Sequence, residues 1–202
     1  MATVTTEVQL CNLALGFAGQ RQVITSLTEE STEAQMCALY YPLARDFVLA
    51  SRAWRFTTRR SVLALSTEER THWDYVYVAP ARMLKAHEIV SSMRPTPPGT
   101  AIPFDWELND AGTGNLILTD EPDAELIYSA QVPEVGLFPP SFVAAVVWQL
   151  ASYLAMSVPV KPQLAQWFES QAEKFQRIAA AADLNSAVPS PPPLAEVTRT
   201  RS

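Results

Sequence analysis

The sequence predicts a mainly α-helical protein with a β insert. Helices from the two ends of the chain close into one bundle, a small antiparallel sheet or sandwich lies between them, and an extended tail follows. Three observations carry this expectation. Apolar residues recur at helical spacing over about 6–52 and again over about 141–183. Between those stretches the period falls to two, and turn-rich breaks separate short apolar runs. After Asp183 the chain carries proline at 189, 191, 192 and 193, which excludes helix and favours an extended, polyproline-like path. The divisions that follow are 1–55 with 134–183 for the bundle, 56–133 for the β insert and 184–202 for the tail.

The first helix is expected over about 6–18, capped by Thr6 or Thr5 and stopped by Gly19. Leu10, Leu13 and Phe17 form one stripe on it, with Cys11, Ala14 and Ala18 beside them. A polar link follows, anchored at Val23, Ile24 and Leu27. Ser31 then caps a second helix reaching about Arg52. It shows two apolar seams, Ala34, Cys37, Tyr41, Ala44, Val48 and Met36, Tyr40, Leu43, Phe47, Ala50, so it is expected to be covered on two sides. Pro42 inside it removes a hydrogen bond and predicts a kink.

The stretch 51–80 holds five of the nineteen aromatic residues: Trp54, Phe56, Trp73, Tyr75 and Tyr77. That concentration marks the passage from helix to strand. Strands are expected around Val62 and Ala64, Tyr75 and Tyr77, and over 89–90, 102–106, 116–118 and 126–129. Turns are expected at 93–99, 109–115 and 120–123. Helices return after Pro139-Pro140, over about 141–157 and 161–183, the last with Pro162 in its first turn. Leu164, Phe168, Ala172, Phe175 and Ala179 make its buried stripe, and Glu173 and Arg177 pair four residues apart.

Composition narrows the function. At 202 residues and 48% hydrophobic, the chain can bury one substantial core. A net charge of −6 gives no general footprint for nucleic acid. The start, MATVTTEVQ, has neither basic flank nor apolar run, so no secretory leader is expected. The most apolar run, 142–156, is broken by Gln149 and Ser152 and is short of the ~20 residues a membrane span needs, so it reads as a core helix. Cys11 and Cys37 lie on apolar helix faces without metal-pair spacing and read as small buried hydrophobes in a reducing compartment.

Catalytic signals are weak, and neither catalytic nor metal nor cofactor-binding residues are assigned. His72 sits in a charged turn and His87 at a strand start, with no nucleophile elbow near either. Asp120, Glu121, Asp123 and Glu125 are spaced as an acidic hairpin turn rather than a calcium loop. Arg55, Arg59 and Arg60 are the strongest cluster. They suit ion pairs across a subunit interface, and the alternative is a small DNA-binding packaging or regulatory protein that uses the same patch. The tail carries +1 (Arg199 and Arg201 against Glu196), which leaves −7 on the rest of the chain. Its Leu194 and Val197 are apolar, so it reads either as a docking segment or as a disordered end.

Taken in order, CNLALGFAGQ, ITSLTEESTEAQMCALYYPLARDFVLASRAWRFTTRR, WDYVYVAPARML, IPFDWE, NLILTDEPDAELIYSA and FPPSFVAAVVWQLASYLAMSV resemble the head-to-tail adaptors of short-tailed phages, the tail tubular protein A family. The resemblance spans about 7–183. It departs at Ala81-Arg82, where the family usually places an acid, and the tail lies outside it. It implies a structural virion protein of the tail, assembled in the host cytoplasm. Such a subunit joins a twelve-membered ring beneath the portal, extends the DNA channel without gripping the genome, and carries the nozzle and the fibres or spikes. It also implies a C-terminal segment docked on the portal, for which Leu194, Val197, Arg199 and Arg201 are the candidates. On this reading the protein is no enzyme, takes no cofactor and meets no membrane.

Overall fold

The computed structural model describes residues 4–20, 23–91, 101–156 and 162–186. Among the described residues about 43% are helical and 23% are strand, in four α-helices and two small antiparallel sheets. The protein is therefore mixed α/β, and the expected "mainly α" understates the sheets. The cause is local. The strand Met83–Ser91 is nine residues long where the sequence marked two, because its alternation is broken twice by bulges, between Met83 and Lys85 and between Ala86 and Glu88.

Helix α1 spans Glu7–Phe17. Thr6 caps it through a reciprocal pair of bonds: the Gln9 N–H donates to Thr6 Oγ1 at 3.2 Å and the Thr6 N–H donates to Gln9 Oε1 at 3.3 Å. Gly19 closes it at φ 81°, the left-handed conformation that a side chain would oppose. The following link is pinned back onto the helix by Asn12, whose amide bonds both the N–H and the C=O of Ile24 at 2.9 Å. Helix α2 spans Thr32–Ala50, capped by Ser31, and continues through Pro42, which is exposed. Helices α3 (Pro140–Met156) and α4 (Pro162–Asn185) follow the sheets. The most apolar helix, α3, packs against the other three. It is wrapped by protein, as a helix apolar on all sides requires, and among the described residues no helix is long and apolar enough to cross a membrane.

One correction concerns α2. Its first seam is fully buried, from Ala34 to Val48. The second is covered only in part: Met36 and Tyr40 pack against the core, whereas Leu43 is 58% and Phe47 52% exposed, and the neighbouring Leu39 is 64% exposed. Periodicity identifies residues that share a face but not what lies opposite; α1 and α3 both pack against α2 and bury its first seam in one core. On α4 the expected stripe holds at Phe168, Ala172 and Ala179, with Phe175 half-buried against Trp148; the Leu164 side chain lies outside the described residues. Glu173 and Arg177 stand exposed and close no ion pair.

The strands are β1 (Thr58–Val62), β2 (Ala64–Leu65), β3 (Tyr75–Val78), β4 (Met83–Ser91), β5 (Phe104–Leu108), β6 (Asn115–Thr119) and β7 (Ala124–Ala130). They form two sheets, ordered β1-β7-β4 and β2-β3-β6-β5. Ile89, Ala124 and Leu126 of the first sheet share a buried cluster with Tyr77 and Ile117 of the second, so the sheets pack face to face. The expected turn at 93–99 lies outside the described residues. The turn at 109–115 is organised by Asn109, whose Oδ1 accepts from the Thr113 and Gly114 N–H groups, with Gly112 at φ 66°.

The outer face of the second sheet is buried in part. Val76, Leu116 and Leu118 are covered by the loop between β2 and β3, which lays Trp73 across them. Arg70 fastens this loop, reaching Glu107 on β5, Glu68 within the loop and Asp110 beyond β5. Sheet and helices meet through aromatic rings. Trp54 and Phe56 stand edge-on to Phe142 at 5.1 and 4.8 Å, and Phe138 completes the group.

Candidate functional site

The arginine cluster does not form one patch. Arg59 and Arg60 are successive residues of β1, so their side chains leave opposite faces of the sheet. Arg60 is already engaged, its guanidinium 3.4 Å from Glu125 on the neighbouring strand. Arg59 folds back to donate to the carbonyls of Phe56 and Thr58 at 3.1 and 3.2 Å. Arg55 lies before the strand with its side chain exposed, and its backbone N–H donates to Asp183 at 3.2 Å. All three residues are exposed, and β1 is an outer strand of its sheet. Charge on an outer strand discourages unwanted strand pairing, so Arg59 and Arg60 have a structural use whatever they meet. Leu194, Val197, Arg199 and Arg201 lie outside the described residues.

A residue the sequence did not single out is the centre of this region. Asp183, near the end of α4, accepts the Arg55 N–H and faces the Arg52 guanidinium at 3.8 Å. Its side chain is only 9% exposed. Arg52 in turn lies 5.2 Å over the Trp54 ring. The end of α4 is thereby fixed to the joint between α2 and β1. Beside it runs a groove between α2 and α4. Its floor is α3, where Gln149 accepts from Gln176 of α4 at 2.8 Å and Ser152 is buried. One wall carries Phe47, and the other carries Glu169, Glu173 and Gln176. Toward the end of α4 the lining changes to Ser51, Arg52 and Arg177. The groove could not be read from sequence, since no spacing rule sets α2 beside α4.

The remaining candidates resolve into structure. His87 is the extra residue at the second bulge of β4, and its Nε2 lies 2.7 Å from Ser129 Oγ. Ser129 is fully buried and also meets Thr57 Oγ1 at 3.5 Å, so no substrate carbonyl can reach it. Burial, with Lys85 nearby, holds the His87 imidazole below its ordinary value of 6.5. The unfolded chain therefore binds the proton more readily than the folded one. Stability from this group is full above about pH 6.5 and falls as pH drops below it. His87→Gln is expected to flatten the denaturation midpoint between pH 5 and 7 relative to the parent; equal slopes would show that another group governs it.

His72 is exposed in the loop held by Arg70. The acidic run is divided among local tasks: Asp120 accepts the Asp74 N–H, Glu125 pairs with Arg60, and Asp123 turns the chain at φ 49°. Among the described residues no group of three or more His, Cys, Asp or Glu could hold a metal. Cys11 and Cys37 are brought together between α1 and α2, both free and fully buried. The hydrogen bond from one thiol to the other, and burial, push the Cys11 thiol up. Comparison with protein-family models gave no match, and comparison with curated proteins gave none.

Proposed function

We propose that the protein is a connector subunit of a virus tail: a head-to-tail adaptor that assembles as a ring under the portal and offers a platform to the nozzle and the fibres or spikes. The observation that carries this reading is the locked joint at 51–58. Trp54, Phe56, Phe138 and Phe142 interlock at the meeting of helices and sheets, and Asp183 ties α4 to the same point. A ring of identical wedges closes only when every wedge holds one angle, so stiffness between its two halves is the property such a subunit needs. In this reading the helices form the bundle, the sheets the insert, and the tail docks on the portal through Leu194, Val197, Arg199 and Arg201. Arg55 and Arg59 meet an acidic neighbour in the ring.

The acidic body fits the same role. A wall carrying net negative charge does not retain passing phosphates. A ring whose lumen proved strongly basic would overturn this part of the proposal. The experiment for the whole is mass measurement of the purified chain with and without a portal ring from a short-tailed phage. The expected result is a discrete complex with several copies of this chain per portal. Absence of any complex, together with a salt-sensitive shift of DNA by the monomer that Arg55→Ala and Arg59→Ala weaken, would favour the DNA-binding alternative.

A further inference from the structure

One outer strand of each sheet carries exposed apolar side chains framed by charge, and the two signs are opposite. On β5, Trp106 and Leu108 are more than half exposed and alternate with Asp105 and Glu107. On β1, Val62 is more than half exposed and follows Arg59 and Arg60. Each strand pairs on one side only, β5 with β6 and β1 with β7. Charge is divided in the same way. Residues 64–78 and 104–121, the second sheet and its loops, hold eight acids against one base, Arg70. That is a formal −7 where the whole chain carries −6, so the rest of the chain stands at +1.

The free edges are regular. Leu63 bonds Ala124 and Asn109 bonds Gly114, so the alternation of antiparallel pairs turns the N–H and C=O of Arg60 and of Trp106 outward. Edge groups beside them are held by their own side chains. The Trp106 N–H donates to Asp105 Oδ1 at 2.8 Å, and Arg59 donates to the Thr58 carbonyl at 3.2 Å.

We propose that β1 of one copy of this chain docks antiparallel on β5 of a second copy. With Arg60 opposite Trp106, Arg59 stands opposite Glu107 and diagonal to Asp105, and Val62 stands opposite Phe104. The Arg60 side chain is 59% exposed beside Glu125 and can lie over the Trp106 ring. Docking exchanges the local bonds. Arg59 and Asp105 turn from their own backbones to each other, and the freed Thr58 carbonyl and Trp106 N–H bond across the boundary. Two β1 edges would set arginine against arginine, and two β5 edges carboxylate against carboxylate, so like edges repel. The contact is therefore heterologous: each copy offers β1 to one neighbour and β5 to the other. The inference rests on the connector reading, for which it names the acidic neighbour of Arg59. Its test contains no portal, so the two fail separately.

The test is sedimentation of the full chain alone over a range of concentrations. The expected result is association that grows beyond a dimer, since a heterologous contact does not close at two copies. Raising salt from about 0.05 M to about 0.5 M is expected to weaken it. Arg59→Glu and Asp105→Lys are each expected to weaken it by about tenfold or more. The two variants mixed are expected to associate again, because each reversed edge then faces one of opposite sign. A role of either residue in folding alone would give no such recovery. Association that stops at a dimer, variants that associate like the parent, or a mixture that stays apart would each overturn the proposal. A chain that remains single at every concentration yet binds a portal in several copies would overturn this contact and leave the connector reading standing. If melting shows that a reversed variant is unfolded, Arg59→Gln and Asp105→Asn replace the pair. Each is expected to weaken association, and unchanged association in both would overturn the proposal.

Discussion

Trp54→Ala is expected to destabilise the protein by about 3–5 kcal/mol, the largest effect of any single change considered. The indole is 1% exposed and is the largest fully buried side chain. Three contacts are lost with it. Its Nε1–H donates to the Val48 carbonyl at 2.7 Å, closing the end of α2. Its ring stands edge-on to Phe142, and Arg52 lies over its face. A cavity would open where helices and sheets meet, with no neighbouring segment free to fill it. The melting temperature is expected to fall by roughly 10 °C or more for a chain of this size. Trp54→Phe keeps most of the packing and removes the donor, so it is expected to cost only about 1–3 kcal/mol. A melting curve for Trp54→Ala within a degree or two of the parent would contradict this account of the joint.

Asp183→Ala is expected to be the next most damaging, at about 1.5–2 kcal/mol. The carboxylate is nearly buried and accepts the Arg55 N–H at 3.2 and 3.4 Å through its two oxygens. Removing it leaves that N–H unpaired and strips Arg52 of its acidic neighbour at 3.8 Å. Arg52 already has its Nε buried and without a hydrogen-bond partner, so the loss adds to an existing deficit at that side chain. The damage should be local before it is global. Amide exchange is expected to accelerate over the last two turns of α4 and over 52–58, while α1 and α3 keep their protection. Uniform acceleration across all four helices would mean that Asp183 supports the core as a whole and not this one tie. In the connector reading the same variant would also loosen the angle between helices and sheets, so ring formation should fail at temperatures where the subunit is still folded.

Much of the local structure was legible residue by residue. Thr6 with Gln9, Ser31, Gly19 and Asn109 are short-range devices whose partners lie within five residues in the chain, so their chemistry is written in the sequence itself. Strand positions were legible wherever alternation was clean, as at Tyr75 and Tyr77. They failed at β4, where two bulges shift the phase and hide the strand. His87, at one of those bulges, is half-buried, and its partner Ser129 lies 42 residues away, which no local spacing announces.

The arginine cluster shows the same limit from another side. Arg55, Arg59 and Arg60 are close in sequence, and that closeness suggested a patch. Strand geometry separates Arg59 from Arg60, and Glu125 on β7 occupies Arg60. Arg70, passed over in a charged turn, proved to fasten a loop to a sheet through acids as far away as Asp110.

The sequence by itself determined the order of elements, their caps and most of their turns, because those depend on residues one or two turns apart. Only the tertiary structure decided that α2 leaves Leu43 and Phe47 of its second seam exposed, that α2 and α4 flank a groove, and that Asp183 ties the end of α4 to the aromatic joint. Each of these depends on which elements lie side by side. That is settled by packing around α3 between residues more than a hundred positions apart, for which the chain carries no periodic signal.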